Sequence, residues 1–250
     1  MSPVAISFVT LALVFGGSLL GMFLKLALPP QHFSTDAKDA VKLSMAMVAT
    51  MAALVLGLLI ASAKSSFDTQ AAELTEMSSR IVLLDRVLAH FGPGAEESRN
   101  MLRGVTDESL DRIEPQRAPV APRFKSQRDS ERLYDAVQAL APKDDAQRLI
   151  QIQALNMVIA LGQTRWLMYE QRTTSVSVPL LIVLIFWLII IFISFGLFSP
   201  FNGTVVASLF VSALSVSGAI FLILEMYSPY GGLIQISSAP LRAALAQLGQ

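Results

Sequence analysis

Apolar positions gather into four long runs along this chain, and between the second and third of them the pattern changes to a mixed apolar and polar spacing of helical period. The runs are Val4–Leu28, Val41–Ala63, Val176–Phe198 and Thr204–Leu224. Each matches the roughly 20 residues that a helix rising 1.5 Å per residue needs to cross a hydrocarbon core of about 30 Å. Lys25 and Lys42 fall near span ends, where a long side chain carries its amine to the interface. The first run has no positive leader segment and is longer than the roughly 7–15 apolar residues of a secretory signal, so it reads as an uncleaved span.

Asp36 to Phe91 contains no proline and a single glycine, Gly57, so the second span is expected to continue past the bilayer. About 55 helical residues would extend about 80 Å. In the continuation Phe67, Leu74, Ile81 and Leu88 recur every seven residues, with Ala71 and Leu84 on the face between them, a stripe suited to packing against another helix. Phe-Gly-Pro-Gly at 91–94 ends this helix, Ala95–Ile113 resumes helical composition, and Pro115 stops it. Residues 115–128, with three prolines and four basic residues, read as a surface loop. Ser130–Leu140 reads as a short helix, and Pro142 is expected in the first turn of a longer one that runs to about Thr174 and feeds into the third span. Leu149, Ile152, Leu155, Ile159 and Trp166 are its expected apolar face, paired antiparallel with the continuation of the second span.

The pattern predicts an all-α membrane protein in which transmembrane helices 2 and 3 extend into a cytoplasmic helical bundle. The expected divisions are 1–63 for the first two spans, 64–175 for the cytoplasmic helical domain, 176–225 for the last two spans and 226–250 for a cytoplasmic C-terminal segment. Charge supports this division: of the 19 Lys+Arg and 19 Asp+Glu, 31 lie within 64–175. Lys64, Arg80, Arg165, Arg172 and Arg242 outnumber Lys25, Lys38 and Lys42 near membrane ends, which places both termini and the central block in the cytoplasm.

Composition narrows the chemistry further. The formal net charge is +0, which gives no electrostatic footprint for nucleic acid. With 0 cysteines, disulfides and thiolate sites are excluded, and the two histidines, His32 and His90, fall in unrelated segments without ligand-spaced partners. No phosphate-binding glycine loop, nucleophile elbow or metal signature is present, so no catalytic residue, metal or cofactor is assigned and the chain is not expected to be an enzyme. Glu96-Glu97 and Asp144-Asp145 read as solvated residues at positive helix starts.

Small side chains mark two spans. Gly17 and Gly21 form a small-xxx-small pair suited to close helix packing, and Ser208, Ser212 and Ser215 are expected at a helix contact in the fourth span. The second span is rich in alanine and other small residues, a composition suited to a crowded axis shared by several copies. Thr50, Leu54 and Leu58 fall on one of its faces and would stack as rings in a symmetric assembly. Such rings either form an ordinary bundle face or gate a pore by dewetting.

Several stretches carry a family resemblance. Gly-Leu-Leu-Ile-Ala-Ser-Ala-Lys-Ser-Ser-Phe at 57–67, Leu-Asp-Arg-Val-Leu-Ala at 84–89, Gln-Thr-Arg-Trp at 163–166, Phe-Gly-Leu-Phe-Ser-Pro-Phe-Asn at 195–202 and Ile-Phe-Leu-Ile-Leu-Glu-Met-Tyr-Ser-Pro-Tyr-Gly-Gly-Leu-Ile at 220–234 resemble the bacterial family of bestrophin-like membrane proteins. More distantly, Glu225 followed by Pro229, Tyr230 and Gly231 is similar to the Glu then Pro-Phe-Gly that follows the last span of bestrophins. The resemblance implies a homopentameric ion channel whose second span lines a hydrophobic neck, with Leu54 and Leu58 at two of its rings and Thr50 at the third. Its expected partners are further copies of itself, membrane lipids and small ions such as chloride. Three departures stand out. No acidic run follows Gly231, so calcium activation by that route is not expected. Thr50 replaces an apolar neck residue, and Lys64 is the one charge near the cytoplasmic mouth, where five copies facing the axis would favour anions. The competing reading is a non-conducting membrane scaffold or signalling adaptor that binds a cytoplasmic partner. Leu241, Ala244, Leu245 and Leu248 predict a short amphipathic helix that lies on the membrane or docks against the stalks, where it would act as a gate.

Overall fold

The computed structural model describes residues 2–27, 35–114, 125–171 and 177–249, and among them it is helical without a strand. The elements are α1 (Pro3–Ala27), α2 (Thr35–Phe91), a 3-10 turn (Pro93–Ala95), α3 (Glu96–Ile113), α4 (Lys125–Gln138), α5 (Asp145–Gln171), α6 (Val178–Phe198), α7 (Gly203–Met226) and α8 (Ala239–Gln247). Four of these helices are long and apolar enough to span a bilayer; α1, α6 and α7 coincide with the first, third and fourth apolar runs to within a few residues, and the second run lies within α2, which continues to Phe91. The chain divides into two units, Met1–Ser66 with Ser175–Pro229, and Phe67–Thr174 with Tyr230–Gln250. Their boundary falls inside α2, which is unbroken from Thr35 to Phe91. Residues 115–124 of the loop expected at 115–128, the segment 172–176 that would lead into the third span, and His32 lie outside the described residues.

In the first unit α1 packs against α6 and α7. Lipid tails are as apolar as leucine, so close approach of backbones does much of the work that water exclusion does elsewhere. Gly21 and Gly196 supply that approach. A Cβ on Gly21 would collide with the carbonyl oxygen of Ile193, and one on Gly196 with the carbonyl oxygen of Ser18. At Gly17 a Cβ would press on Ile193 Cγ1 at 3.3 Å. The glycine pair read from the sequence is thus a helix crossing. Phe15 adds an edge-on contact with Phe210, ring centroids 5.2 Å apart. At the far end Lys25 Nζ donates to the Ser199 carbonyl at 3.0 Å, closing the α6 C-terminus, and the Asn202 side chain accepts from Thr204 N–H to start α7. The serine expectation fails in this unit: Ser208, Ser212 and Ser215 are exposed, and α7 instead buries Leu209, Ala213, Ser217, Ile220 and Leu224.

The second unit is a bundle of the later half of α2 with α3, α4, α5 and α8. Leu74, Ile81, Leu84 and Leu88 are buried, with Phe67 and Ala71 packed at the edge, so the seven-residue stripe is the bundle seam. Gly92, at φ 101°, makes the turn after α2 in a conformation that a side chain would strain. Helices α2 and α5 run antiparallel: Arg80 reaches Thr164, whereas Phe91 O, eleven residues on, accepts from Gln147 Nε2. Three expectations need correction here. Helix α4 begins at Lys125 rather than Ser130. Pro142 precedes α5 instead of occupying its first turn, and Asp144 caps the helix by accepting from Gln147 N–H at 2.7 Å. The inner face of α5 is Ala154, Val158 and Leu161; of the expected face Leu155 packs against this core, whereas Leu149, Ile152, Ile159 and Trp166 are exposed. Helix α5 carries two apolar stripes, and the bundle takes the one that includes Ala154, Val158 and Leu161.

Candidate pore-lining helix

Within the first unit, α2 turns Ala52, Leu59 and Ala63 into the apolar core. Its opposite side carries Leu43, Met47, Met51, Leu54 and Leu58, all exposed, Leu54 at 67% and Leu58 at 62%. Thr50 lies on that same exposed stripe, and its hydroxyl donates to Ala46 O at 2.9 Å, so its proton is spent inside the helix and its methyl group and lone pairs face outward. Only 11% of the apolar window of α2 is buried, against 28% to 39% for the other three spans. A span that buries so little of its apolar window leaves that face to lipid or to a neighbouring copy. Lys64 is also exposed. At about 100° per residue it falls roughly 80° from Leu54 around the helix, so it borders the stripe and does not extend it.

The residues after the last span sit differently. Glu225 is 2% exposed in the final turn of α7. Ser228 N–H donates to the Glu225 carbonyl at 2.9 Å, which turns the chain out of the helix. Tyr227 OH lies 3.1 Å from Ser62 Oγ, and this contact brings the end of α7 beside α2 one turn past Leu58. Pro229 is the last residue of the first unit; Tyr230 packs on the apolar core of the second. A Cβ on Gly231 would meet nothing, so local sterics do not require glycine there.

A family model for the bestrophin-like domain matches residues 12–241. The chain belongs to the bestrophin-like family. Two crystal structures are similar to it throughout. One, of a membrane protein with a proline-to-alanine substitution, has a TM-score of 0.67 and 14% identity over 98% of this chain and 99% of that one. The other, of a bacterial bestrophin homologue from Klebsiella pneumoniae with a leucine-to-threonine substitution, has a TM-score of 0.65 and 13% identity over 95% of this chain and 99% of that one. At such identities the likeness carries the fold. No curated protein matches the chain.

This bestrophin-like chain also holds an ionic anchor that sequence reasoning missed. Asp85, 2% exposed in α2, accepts from Arg99 of α3 through Nε at 2.7 Å and Nη2 at 2.8 Å, and from the backbone N–H of Gly249 at 3.3 Å. Burial pushes the carboxyl up, but the Arg99 and Gly249 hydrogen bonds together with the charges of Arg99 and Arg86 outweigh it, and Asp85 titrates below the usual carboxylate range. A second carboxylate, Glu114, accepts from Arg242 at 2.7 Å and from the Ser238 hydroxyl. Leu241, Ala244 and Leu248 are buried beside them, so α8 docks into the bundle, the second of its two predicted settings. No single-position signal betrays this pair, because an aspartate within a helical pattern looks solvated until its partner is known.

Asp85→Asn should cost about 3 kcal/mol, the low end for breaking a buried pair, because Arg99 retains some contact with water. The depressed carboxyl contributes stability that is complete above its unfolded value of about 3.9 and is lost as pH falls through the lower folded value. Thermal unfolding of the purified protein between about pH 3 and 7 checks both: wild type should lose stability at the acid end, and the asparagine variant should start lower and lose less.

Proposed function

We propose that this protein is a pentameric ion channel of a bacterial inner membrane, passing small ions through a neck formed by α2, anions such as chloride ahead of cations. The open α2 stripe with Thr50, Leu54 and Leu58 carries the reading. Five copies set around an axis would turn it into stacked rings, two of leucine and one of threonine, narrow enough to exclude water when closed. Family membership supports conduction as the activity. Lys64, on the border of the stripe, supplies cationic charge at the mouth, and the excess of Lys and Arg puts that mouth, residues 64–175 and both termini in the cytoplasm.

Mass and current test the proposal together. The purified protein should weigh close to five times 27.1 kDa after detergent is subtracted, and in planar bilayers it should carry a current whose reversal potential in a potassium chloride gradient follows chloride. A monomer or dimer, or a potassium-following reversal, overturns the corresponding part. The exposed stripe Leu149, Ile152, Ile159 and Trp166 on α5 favours one second reading, a non-conducting scaffold that binds a cytoplasmic partner there. A pentameric mass with wild-type current rejects it.

A further inference from the structure

The first unit contains a cavity of about 600 Å³ where α2, α6 and α7 meet. Its wall is mostly apolar, with Met45, Phe195, Phe198 and Leu209, and also carries Lys42 and the serines Ser194, Ser199 and Ser208; Phe195 and Lys42 are exposed, so it is an open groove. Ala46 and Ala49, one turn apart on α2, leave the room that larger side chains would fill. The charge near its rim is positive on two sides. Lys42 lies in the first turns of the second span, and Lys25 Nζ binds the carbonyl of Ser199, itself a wall residue. The acidic neighbour of Lys42 is Asp39, 3.8 Å away, with the two side chains 66% and 65% exposed. An ion pair that open to water is weak and yields readily to a better anion.

We infer that this cavity holds one molecule of an anionic phospholipid, its acyl chain against Phe195, Phe198 and Leu209 and its phosphate on Lys42. The volume lies within the roughly 300–1,000 Å³ of ordinary ligand pockets, and a mostly apolar wall that carries an amine near a span end suits a molecule with an acyl chain and an anionic head. An anionic headgroup is selected because a basic residue at the membrane surface attracts anionic lipid and leaves a zwitterionic one nearly indifferent. The inference requires a membrane setting and is independent of ion conduction.

Native mass spectrometry of the delipidated full-length protein, titrated with phosphatidylglycerol and separately with phosphatidylcholine, tests it. Wild type should retain phosphatidylglycerol in preference to phosphatidylcholine. Lys42→Gln should weaken the first phosphatidylglycerol by about fivefold and leave phosphatidylcholine unchanged. Ala46→Trp should abolish the preferential adduct by filling the cavity, with the mass of the assembly unchanged, and Ser208→Phe closes it from α7 if the tryptophan variant does not fold. Equal retention of the two lipids, or indifference to Lys42→Gln, overturns the inference. So does a loss of assembly mass on filling the cavity, because the occupant is then a helix of a second copy.

Discussion

Leu54→Ala is expected to raise the current through the reconstituted protein about tenfold or more, equivalent to removing about 1.4 kcal/mol from the barrier to ion passage. Leu54 and Leu58 stand on the open stripe of α2, and in a symmetric ring every substitution acts once per copy. In the proposed neck, shortening one ring would widen the constriction and lower the cost of wetting it. Leu58→Ala should act in the same direction, whereas Leu59→Ala, on the buried face of the same helix, should cost stability and leave conduction per channel unchanged. Bilayer currents normalised to protein content decide the matter. Equal currents from wild type and Leu54→Ala would remove the stripe from the conduction path.

The second large effect is structural. Gly196→Ala should destabilise the protein by about 3 kcal/mol or more, because its Cβ meets the Ser18 carbonyl oxygen and two backbones must part to admit it. Flexible side chains could yield, but a carbonyl held in a helix does not. Gly218→Ala is the matched control, since that glycine faces open space, and alanine there should be neutral or stabilising by up to about 1 kcal/mol. Unfolding of the two variants in detergent separates them. A Gly196→Ala protein as stable as Gly218→Ala would mean that the α1–α6 crossing does not hold the unit together.

Much of this fold is legible in the sequence because its cause is one-dimensional. A span announces itself by the length of an apolar run, and the seam of α2 by a leucine every seventh residue. Position around a helix is harder where two apolar stripes compete. On α5 Leu149, Ile152, Ile159 and Trp166 form the more conspicuous stripe, yet the bundle buries Ala154, Val158 and Leu161. Periodicity reports that a stripe exists, and only the partner's shape decides which one is used. The amphipathic C-terminal helix posed the same problem, since a membrane surface and a protein groove ask for the same pattern. Asp85 was invisible for a different reason: Arg99 lies fourteen positions away across a turn, and Gly249 lies 164 positions away. On α2, by contrast, one stripe of large side chains lies opposite Ala52, Leu59 and Ala63, and spacing alone puts Thr50, Leu54 and Leu58 on one face of the helix.

Docking of α8 has a consequence for how the chain is made. The carboxylate of Asp85 leaves the ribosome early, and the amide that completes its set of donors follows 164 residues later. At about 5–20 residues per second that interval is roughly 10–30 s. Throughout it the groove for Leu241, Ala244 and Leu248 stands open while two further spans are being inserted. Newly synthesised protein therefore passes through a stage in which its membrane helices are in place and one side of its bundle is still uncovered, a window for chaperone capture or proteolysis that closes when the last turn of helix arrives.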